Sequence, residues 1–367
     1  MTTPAAEQLS LPELQDLEQL KTSAIELLKQ LINTPSISRN EEATADLLQQ
    51  FLEAQHIPTE RKLNNVWAKN KHFDKNKPSI LLNSHHDTVK PNPAYTNDPF
   101  HAFTKDGKLY GLGSNDAGGA VVSLLSAFLY FYNEQNLKYN FIYAASAEEE
   151  TSGKNGIASV LQDFPPIDFA IVGEPTLMEM ATAEKGLMVL DCSVYGKSGH
   201  AAREEGENAI YNALPVIQWF RDYQFEKVSS MLGKVKMTVT VIKAGEQHNV
   251  VPALCDFTVD VRTTDAYRNE EILEIIEKQA NCNVLPRSLR LQPSSIPEDH
   301  PIVQAGKSAG RKTYGSPTTS DQALMPWPSI KIGPGDSARS HTANEFIYIK
   351  EIEEAIELYI TLLKKLN

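Results

Sequence analysis

The segment SILLNSHHDTV, Ser79–Val89, joins an apolar run, Ile80-Leu81-Leu82, to two histidines and an aspartate, His85, His86 and Asp87. A short, solid apolar run reads as a strand buried on both faces, the kind that a parallel sheet covered by helices contains. Groups that bind protons or metals at the mouth of such a strand lie where ligands collect in an open parallel sheet. Two further runs, YNFIYAAS (139–146) and DFAIVGEP (168–175), share this texture, and the helix-like AGGAVVSLLSAFLYFYNEQ (117–135) falls between the first strand and the second. The alternation predicts an α/β fold, with a mostly parallel sheet covered by helices. Leu14, Leu17, Leu20, Ile25, Leu28 and Ile32 recur at helical spacing from the Pro12 region until NTPS, giving an amphipathic helix on the outside of that sheet.

From Gly186 the texture changes. LMVLDCSVYG (187–196) alternates, and it is followed by a helical NAIYNALPVIQWFRDY, two more strands, KVKMTVTVIKAG and ALCDFTVDVRTT, and a second helix, NEEILEIIEKQA. Strands that alternate and are each followed by a helix predict a small inserted α+β unit, ferredoxin-like, with one sheet face exposed. The stretch LQPSSIPEDHP returns the chain, after which SIKIGPG and the closing helix IKEIEEAIELYITLLKKL resume the first texture. The expected organisation is a discontinuous catalytic domain, residues 1–180 and 293–367, with a dimerisation or lid domain at 181–292.

At 367 residues, two domains are a better prior than one. Hydrophobic residues at 41% and charged residues at 22% describe an ordinary globular chain. A formal net charge of -12 repels phosphate backbones and no Lys/Arg block offsets it, which argues against nucleic acid as a partner. Cys192, Cys255 and Cys282 lack C-x-x-C spacing, so neither a disulfide framework nor a thiolate zinc site is expected, and they read as small buried hydrophobes on strands. No secretory signal or membrane-spanning run is visible, and the expected location is the cytoplasm.

Acidic or histidine residues stand behind successive apolar runs: His85 with Asp87, Asp116 in GSNDAGG, the triplet Glu148-Glu149-Glu150, Glu174 in VGEPT, and His341 in RSHTANE. Two imidazoles with carboxylates suit zinc or cobalt, and a shared carboxylate lets two such ions lie close together. Strand alternation sends His85 and Asp87 to one side, where Asp87 can accept the second N–H of the His85 ring, and sends His86 to the other. Taken singly each cluster has a bland reading: a structural H-x-D, a solvated acidic turn, a proline turn, a helix entry capped by Asp116. Their ordered recurrence, with the last cluster returning after the insertion, is what carries weight. His56, His72, His101, His248 and His300 fall outside the clusters and read as structural or exposed.

This ordered set, from TPSIS to SHTANEF, resembles the M20 family of di-zinc peptidases and amidohydrolases, particularly its acetylornithine deacetylase and succinyl-diaminopimelate desuccinylase branch. The resemblance implies that His85 and Glu174 hold one Zn2+ or Co2+, that Glu150 and His341 hold the other, and that Asp116 bridges both. It implies Glu149 as general base; Asp87, which alternation sets behind His85, is counted with it among the catalytic residues. Glu148 stands where the family more often has Asp, and Asp116-Ala117-Gly118-Gly119 stands where many relatives read D-M-K-G-G, so one nearby positive charge is missing. GKSGHAAREEGENAI resembles the family's G-x-x-G-H signature, which implies that His200 reaches the partner subunit's site of a homodimer paired through the inserted domain. QHNVVPALCDFTVDVRTT resembles the segment in which an Asn and an Arg clasp the substrate carboxylate, here Asn249 and Arg262; an Arg paired with Asp260 or Asp265 is the plain alternative. Lys185 and Gly333 are weaker pocket candidates.

The implied substrate is an N-acylated amino acid, with acetylornithine deacetylase-like activity in arginine synthesis first. Desuccinylation of diaminopimelate, acylcitrulline or acylornithine cleavage, and dipeptide hydrolysis stay open within the same chemistry. A catalytically silent binding protein on the same fold is the rival from another class, and Glu149, His200 and an intact ligand set argue against it. A phosphate-binding loop at GLGSNDAGG fails on its own motif, because no Lys-Ser/Thr follows the glycines.

Overall fold

The computed structural model describes residues 16–367. Helix α1 (Leu17–Asn33) opens at Asp16, whose carboxylate accepts the N–H groups of Glu18 and Gln19, as an N-cap aspartate does. The Pro12 and Leu14 end of the expected helix lies outside the described residues. Leu20, Ala24, Leu27, Leu28, Leu31 and Ile32 form the buried stripe of α1, at the three-and-four spacing of an amphipathic helix. There follow α2 (Glu42–Ala54), β1 (Thr59–Lys62), β2 (Asn65–Lys69), β3 (Ser79–His85), α3 (Gly119–Phe131), β4 (Asn140–Ser146), β5 (Phe169–Val172) and β6 (Met180–Glu184). Every residue of β3, β4 and β5 is buried, which is why their sequences read as solid apolar runs instead of alternating ones.

Two compact units divide the described residues: one contains those up to Thr182 with Ile296–Tyr314 and Met325–Asn367, and the other contains Ala183–Ser295 with Gly315–Leu324. In the second unit β7 (Gly186–Tyr195), α4 (Ala209–Asp222), β8 (Lys236–Ala244), β9 (Leu254–Thr263), α5 (Asn269–Gln279) and β10 (Asn283–Pro286) run in the β-α-β-β-α-β order of a ferredoxin-like unit. Its antiparallel sheet has the order β8-β9-β7-β10. Met188, Leu190, Cys192 and Val194 of β7 face Phe220 of α4 and Ile272 and Ile276 of α5 in one core. Cys192 and Cys255 are buried on strands; Cys282 is half-buried and lies just before β10, so the expectation of a strand position fails for it. Segment Gly315–Leu324, which the sequence reading leaves with the catalytic domain, groups with the second unit: Ser320 donates through N and Oγ to the buried Glu184 carboxylate, both at 2.8 Å, and Gln322 donates to Ser294 Oγ at 3.1 Å.

The first unit resumes with α6 (Pro301–Ser308), β11 (Ser329–Lys331) and α7 (Ile349–Leu366). His300, read from the sequence as structural or exposed, caps α6 by accepting the Ile302 N–H. The large sheet runs β1-β2-β4-β3-β5-β11-β6. Its centre is parallel, β4 with β3, β3 with β5 and β5 with β11, while the β1–β2, β2–β4 and β11–β6 pairings are antiparallel. β1 and β2 are joined by Leu63 and Asn64 alone, a connection that can only make a hairpin. Among the described residues no helix is long and apolar enough to cross a membrane.

Register fixes the site. His85 pairs with Ser146 across β3 and β4, and Asn83 with Val172 across β3 and β5, so the residues after these strands leave along one edge. Helix α3, packed on α1 and α7, starts beside the Asp116 turn and sets a fully buried Phe128 against Tyr143 in the middle of β4. Phe128→Ala is expected to cost about 3–5 kcal/mol of stability, read as a lower urea midpoint with an unchanged slope; a loss under about 1 kcal/mol contradicts this packing.

Candidate metal centre

His85 ends β3 almost completely buried. Its Nδ1 lies 3.0 Å from the backbone carbonyl of Asp87 and 3.5 Å from that residue's Oδ1. The nearer acceptor is thus the carbonyl and not the carboxylate that strand alternation suggests. Nδ1–H donating to it leaves Nε2 to face outward, 3.3 Å from Asp116 Oδ1, 3.7 Å from Glu174 Oε1 and 3.9 Å from Glu149 Oε2. The Asp87 carboxylate is taken up otherwise: it accepts from Ser38 Oγ at 2.6 Å and from the N–H groups of Glu149 at 3.0 Å and Glu150 at 3.3 Å. Asp87 therefore shapes the turn on which both glutamates sit. His86 points away, held by Thr44 Oγ1 at 2.9 Å and the Asn64 carbonyl at 2.8 Å, the satisfied histidine that alternation predicts.

Asp116 sits in the turn between Gly113 and α3, ahead of a cis Asp116–Ala117 peptide. A Cβ at Gly118 would lie 2.4 Å from the Gly113 carbonyl oxygen and 2.6 Å from Leu28 Cδ1; only glycine lets the loop fold back this closely. Asp116 directs Oδ1 to His85 and Oδ2 to His341 Nε2, the latter at 3.6 Å. His341 Nε2 in turn lies 3.0 Å from Glu150 Oε2. Two groups that could each hold a metal ion result, His85/Asp116/Glu174 and Asp116/Glu150/His341, and within each the candidate donor atoms lie within 4.8 Å of one another. Asp116 belongs to both.

Burial pushes the Glu174 carboxyl up to about 8, against the pull of His85. Burial also raises Glu150. His341 is pushed up to about 9, first by its hydrogen bond to Glu150. Burial opposes charge on His85, yet Glu149, Asp116, Asp87 and Glu174 together hold it well above the ordinary imidazole value. The cluster is short of positive charge, and imidazole nitrogens beside carboxylate oxygens form a donor set that fits a divalent ion of the zinc or cobalt type.

Gly333 lies against the backbone of Glu174, where a Cβ would come within 2.5 Å of the Glu174 oxygen; its role in the structure is to seat Glu174. In the second unit His200 is exposed on the two-residue strand Gly199–His200, and its Nδ1 accepts from Ala202 N at 3.1 Å. Asn249 is exposed, and its carbonyl accepts from Ala201 N. Arg262 presents its fork to Asp260, at 2.9 and 3.1 Å, as the plain alternative has it. Lys185 is held below the ordinary lysine value by burial and then by Lys236 and Arg262, and its Nζ donates to the Lys234 carbonyl at 3.3 Å.

Sequence reading misses Ser38, Asn115 and Glu345. Glu345 is almost wholly buried, and its Oε1 accepts from the N–H groups of Asn115 at 2.8 Å and Asp116 at 3.0 Å. The available signal is an acid placed directly before an apolar strand, Phe346–Tyr348.

The family model of Peptidase family M20/M25/M40 matches residues 81–365. The acetylornithine deacetylase of Proteus mirabilis is 29% identical, over 91% of this chain and 94% of its own. Among solved structures, the aminopeptidase PepT of Bacillus cereus has a TM-score of 0.76 at 17% identity, covering 96% of this chain and 99% of its own. The YXEP protein of Bacillus subtilis, described as a dinuclear metal binding peptidase from the M20 family, has a TM-score of 0.72 at 16% identity, covering 94% and 98%.

Gly333→Ala is expected to move Glu174 and to cost about 1–3 kcal/mol. A crystal structure of the variant and its urea midpoint check this; an unmoved Glu174 at unchanged stability contradicts it.

Proposed function

The chain belongs to peptidase family M20/M25/M40, and from that premise we propose that it is a two-metal amidohydrolase that removes an acyl group from the amine of an amino acid. His85 and Glu174 would hold one ion, Glu150 and His341 the other, with Asp116 shared. The observation that carries this reading is Asp116 itself, which offers one oxygen to each histidine. Zinc or cobalt, when bound, supplies Lewis acidity toward the scissile carbonyl and makes water a nucleophile near neutral pH.

The protein's own groups do the rest. Glu149 stands 3.9 Å from His85 Nε2 on the turn that Asp87 holds. As general base it takes the proton of the attacking water and returns it to the departing amine. Asp87 acts through backbone contacts, fixing Glu149 and Glu150 in place. His200, supplied by the partner subunit, would donate to the oxyanion as it forms. A homodimer paired through the second unit follows; Tyr195, Tyr211, Leu214 and Leu285 leave that unit with exposed apolar side chains, which supports such pairing. Asn249 and Arg262 would bind the substrate carboxylate, Arg262 exchanging Asp260 for it. Lys185 is assigned to the same pocket.

The substrate proposed first is N-acetylornithine, because the Proteus mirabilis relative is named acetylornithine deacetylase; the setting proposed with it is arginine synthesis in the cytoplasm. Succinyl-diaminopimelate and dipeptides are the competing substrates. A kinetic panel of acetyl- and succinyl-ornithine, acetylcitrulline, succinyl-diaminopimelate and dipeptides, with added zinc or cobalt, is expected to give the highest kcat/KM for N-acetylornithine. Absence of turnover across the panel by protein carrying both ions contradicts the amidohydrolase reading. Glu149→Ala is expected to keep both ions while kcat falls about 10²- to 10⁴-fold; wild-type turnover removes Glu149 as the base. His200→Ala is expected to be inactive yet dimeric, and mixing it with Glu149→Ala should restore activity in the hybrid dimers. No recovery on mixing contradicts supply across the interface.

A further inference from the structure

The turn bearing Asp116 and the loop bearing His341 are joined by side chains from both. Asn115 Nδ2 donates to the Asp336 carbonyl at 3.1 Å and to Ser340 Oγ at 3.3 Å, while Asn115 Oδ1 accepts from Asp336 N at 3.0 Å. One amide thus grips the start of the His341 loop and the residue beside His341. From the other side, Glu345, four positions beyond His341, takes the N–H groups of Asn115 and Asp116 on a single oxygen, and its carbonyl accepts from Gly111 N at 3.0 Å. Neither grip bonds a donor atom of the candidate ligand groups directly; Ser340, which Asn115 holds, also hydrogen-bonds the Asp116 carboxylate. Both orient the backbone from which those donors project.

We propose that Glu345 is a positioning residue which, with Asn115, fixes the Asp116 turn and the His341 loop as one rigid element, so that the two ligand groups form together. The proposal rests on the two-metal reading. Removing a buried acceptor of two backbone N–H groups leaves both donors unsatisfied, and the Asp116 turn must then rotate to find new partners. Because Asp116 belongs to both groups, its displacement weakens both ions, whereas a local defect beside one ligand weakens one. Groups that orient metal ligands in this way typically change affinity by about 10–100-fold when removed.

The test is zinc binding to metal-free protein, measured by competition with a chromophoric chelator, for wild type, E345A, E345Q, N115A and L52A. Leu52 is fully buried in α2, and L52A serves as a control for loss of stability alone. E345A and N115A are expected to bind both ions about 10–100-fold more weakly than wild type. E345Q, whose amide oxygen can accept the same two N–H groups, is expected to bind as wild type does, and so is L52A. Wild-type affinity in E345A or N115A overturns the proposal, as does an equal loss in L52A. If E345A does not fold, N115A and E345Q decide: weak binding by the first with full binding by the second supports the clamp, and any other pattern overturns it. Wild-type protein that binds no pair of ions sinks the two-metal reading as well; wild-type protein that binds the pair beside an E345A that binds it equally sinks the clamp alone.

Discussion

Asp116, Glu149, Glu150 and Glu174, their carboxylates largely withdrawn from water, gather about the buried His85 and the exposed His341. Carboxylates brought together out of water repel one another and lose hydration, and each must be neutralised by a proton or by a cation. Burial raises the Glu174 and Glu150 carboxyls, and the hydrogen bond to Glu150 raises the His341 imidazole. A pair of divalent ions, as proposed, would relieve the same repulsion and place Lewis acidity where the acids converge. The proposed activity grows out of that imbalance of charge.

Much of the surrounding fold serves to hold this costly arrangement. The parallel centre of the sheet delivers His85, the Glu148–Glu150 turn and Glu174 to one edge in fixed register. Glycine at 118 and at 333 lets backbone approach backbone where a methyl group would not fit. Behind the donors, Asp87 with Ser38 fixes the glutamate turn, and Glu345 with Asn115 fixes the Asp116 turn. These buried groups are satisfied by backbone N–H donors, the arrangement that keeps a polar layer from destabilising a core.

Periodicity and order made the fold legible: solid apolar runs marked β3, β4 and β5, and the change to alternation at Gly186 marked a sheet covered on one face. The antiparallel margins were less visible, because pairing direction depends on connection length and not on the apolar pattern. At the site, acids and histidines behind apolar runs drew attention to the residues that the structure brings together. Sequence could not show which oxygen of Asp87 meets His85, since a carbonyl and a carboxylate two residues away compete for one N–H. Ser38, Asn115 and Glu345 escaped for a related reason. Their partners are mostly backbone groups distant in sequence, which leave no local pattern.

The most direct test of the central claim is anomalous diffraction from crystals of the zinc-loaded protein. Two strong peaks are predicted, about 3.5–4 Å apart, one beside His85 and Glu174, one beside Glu150 and His341, with an oxygen of Asp116 bound to each. A single peak, or peaks that leave Asp116 uncoordinated at saturating zinc, would contradict the account.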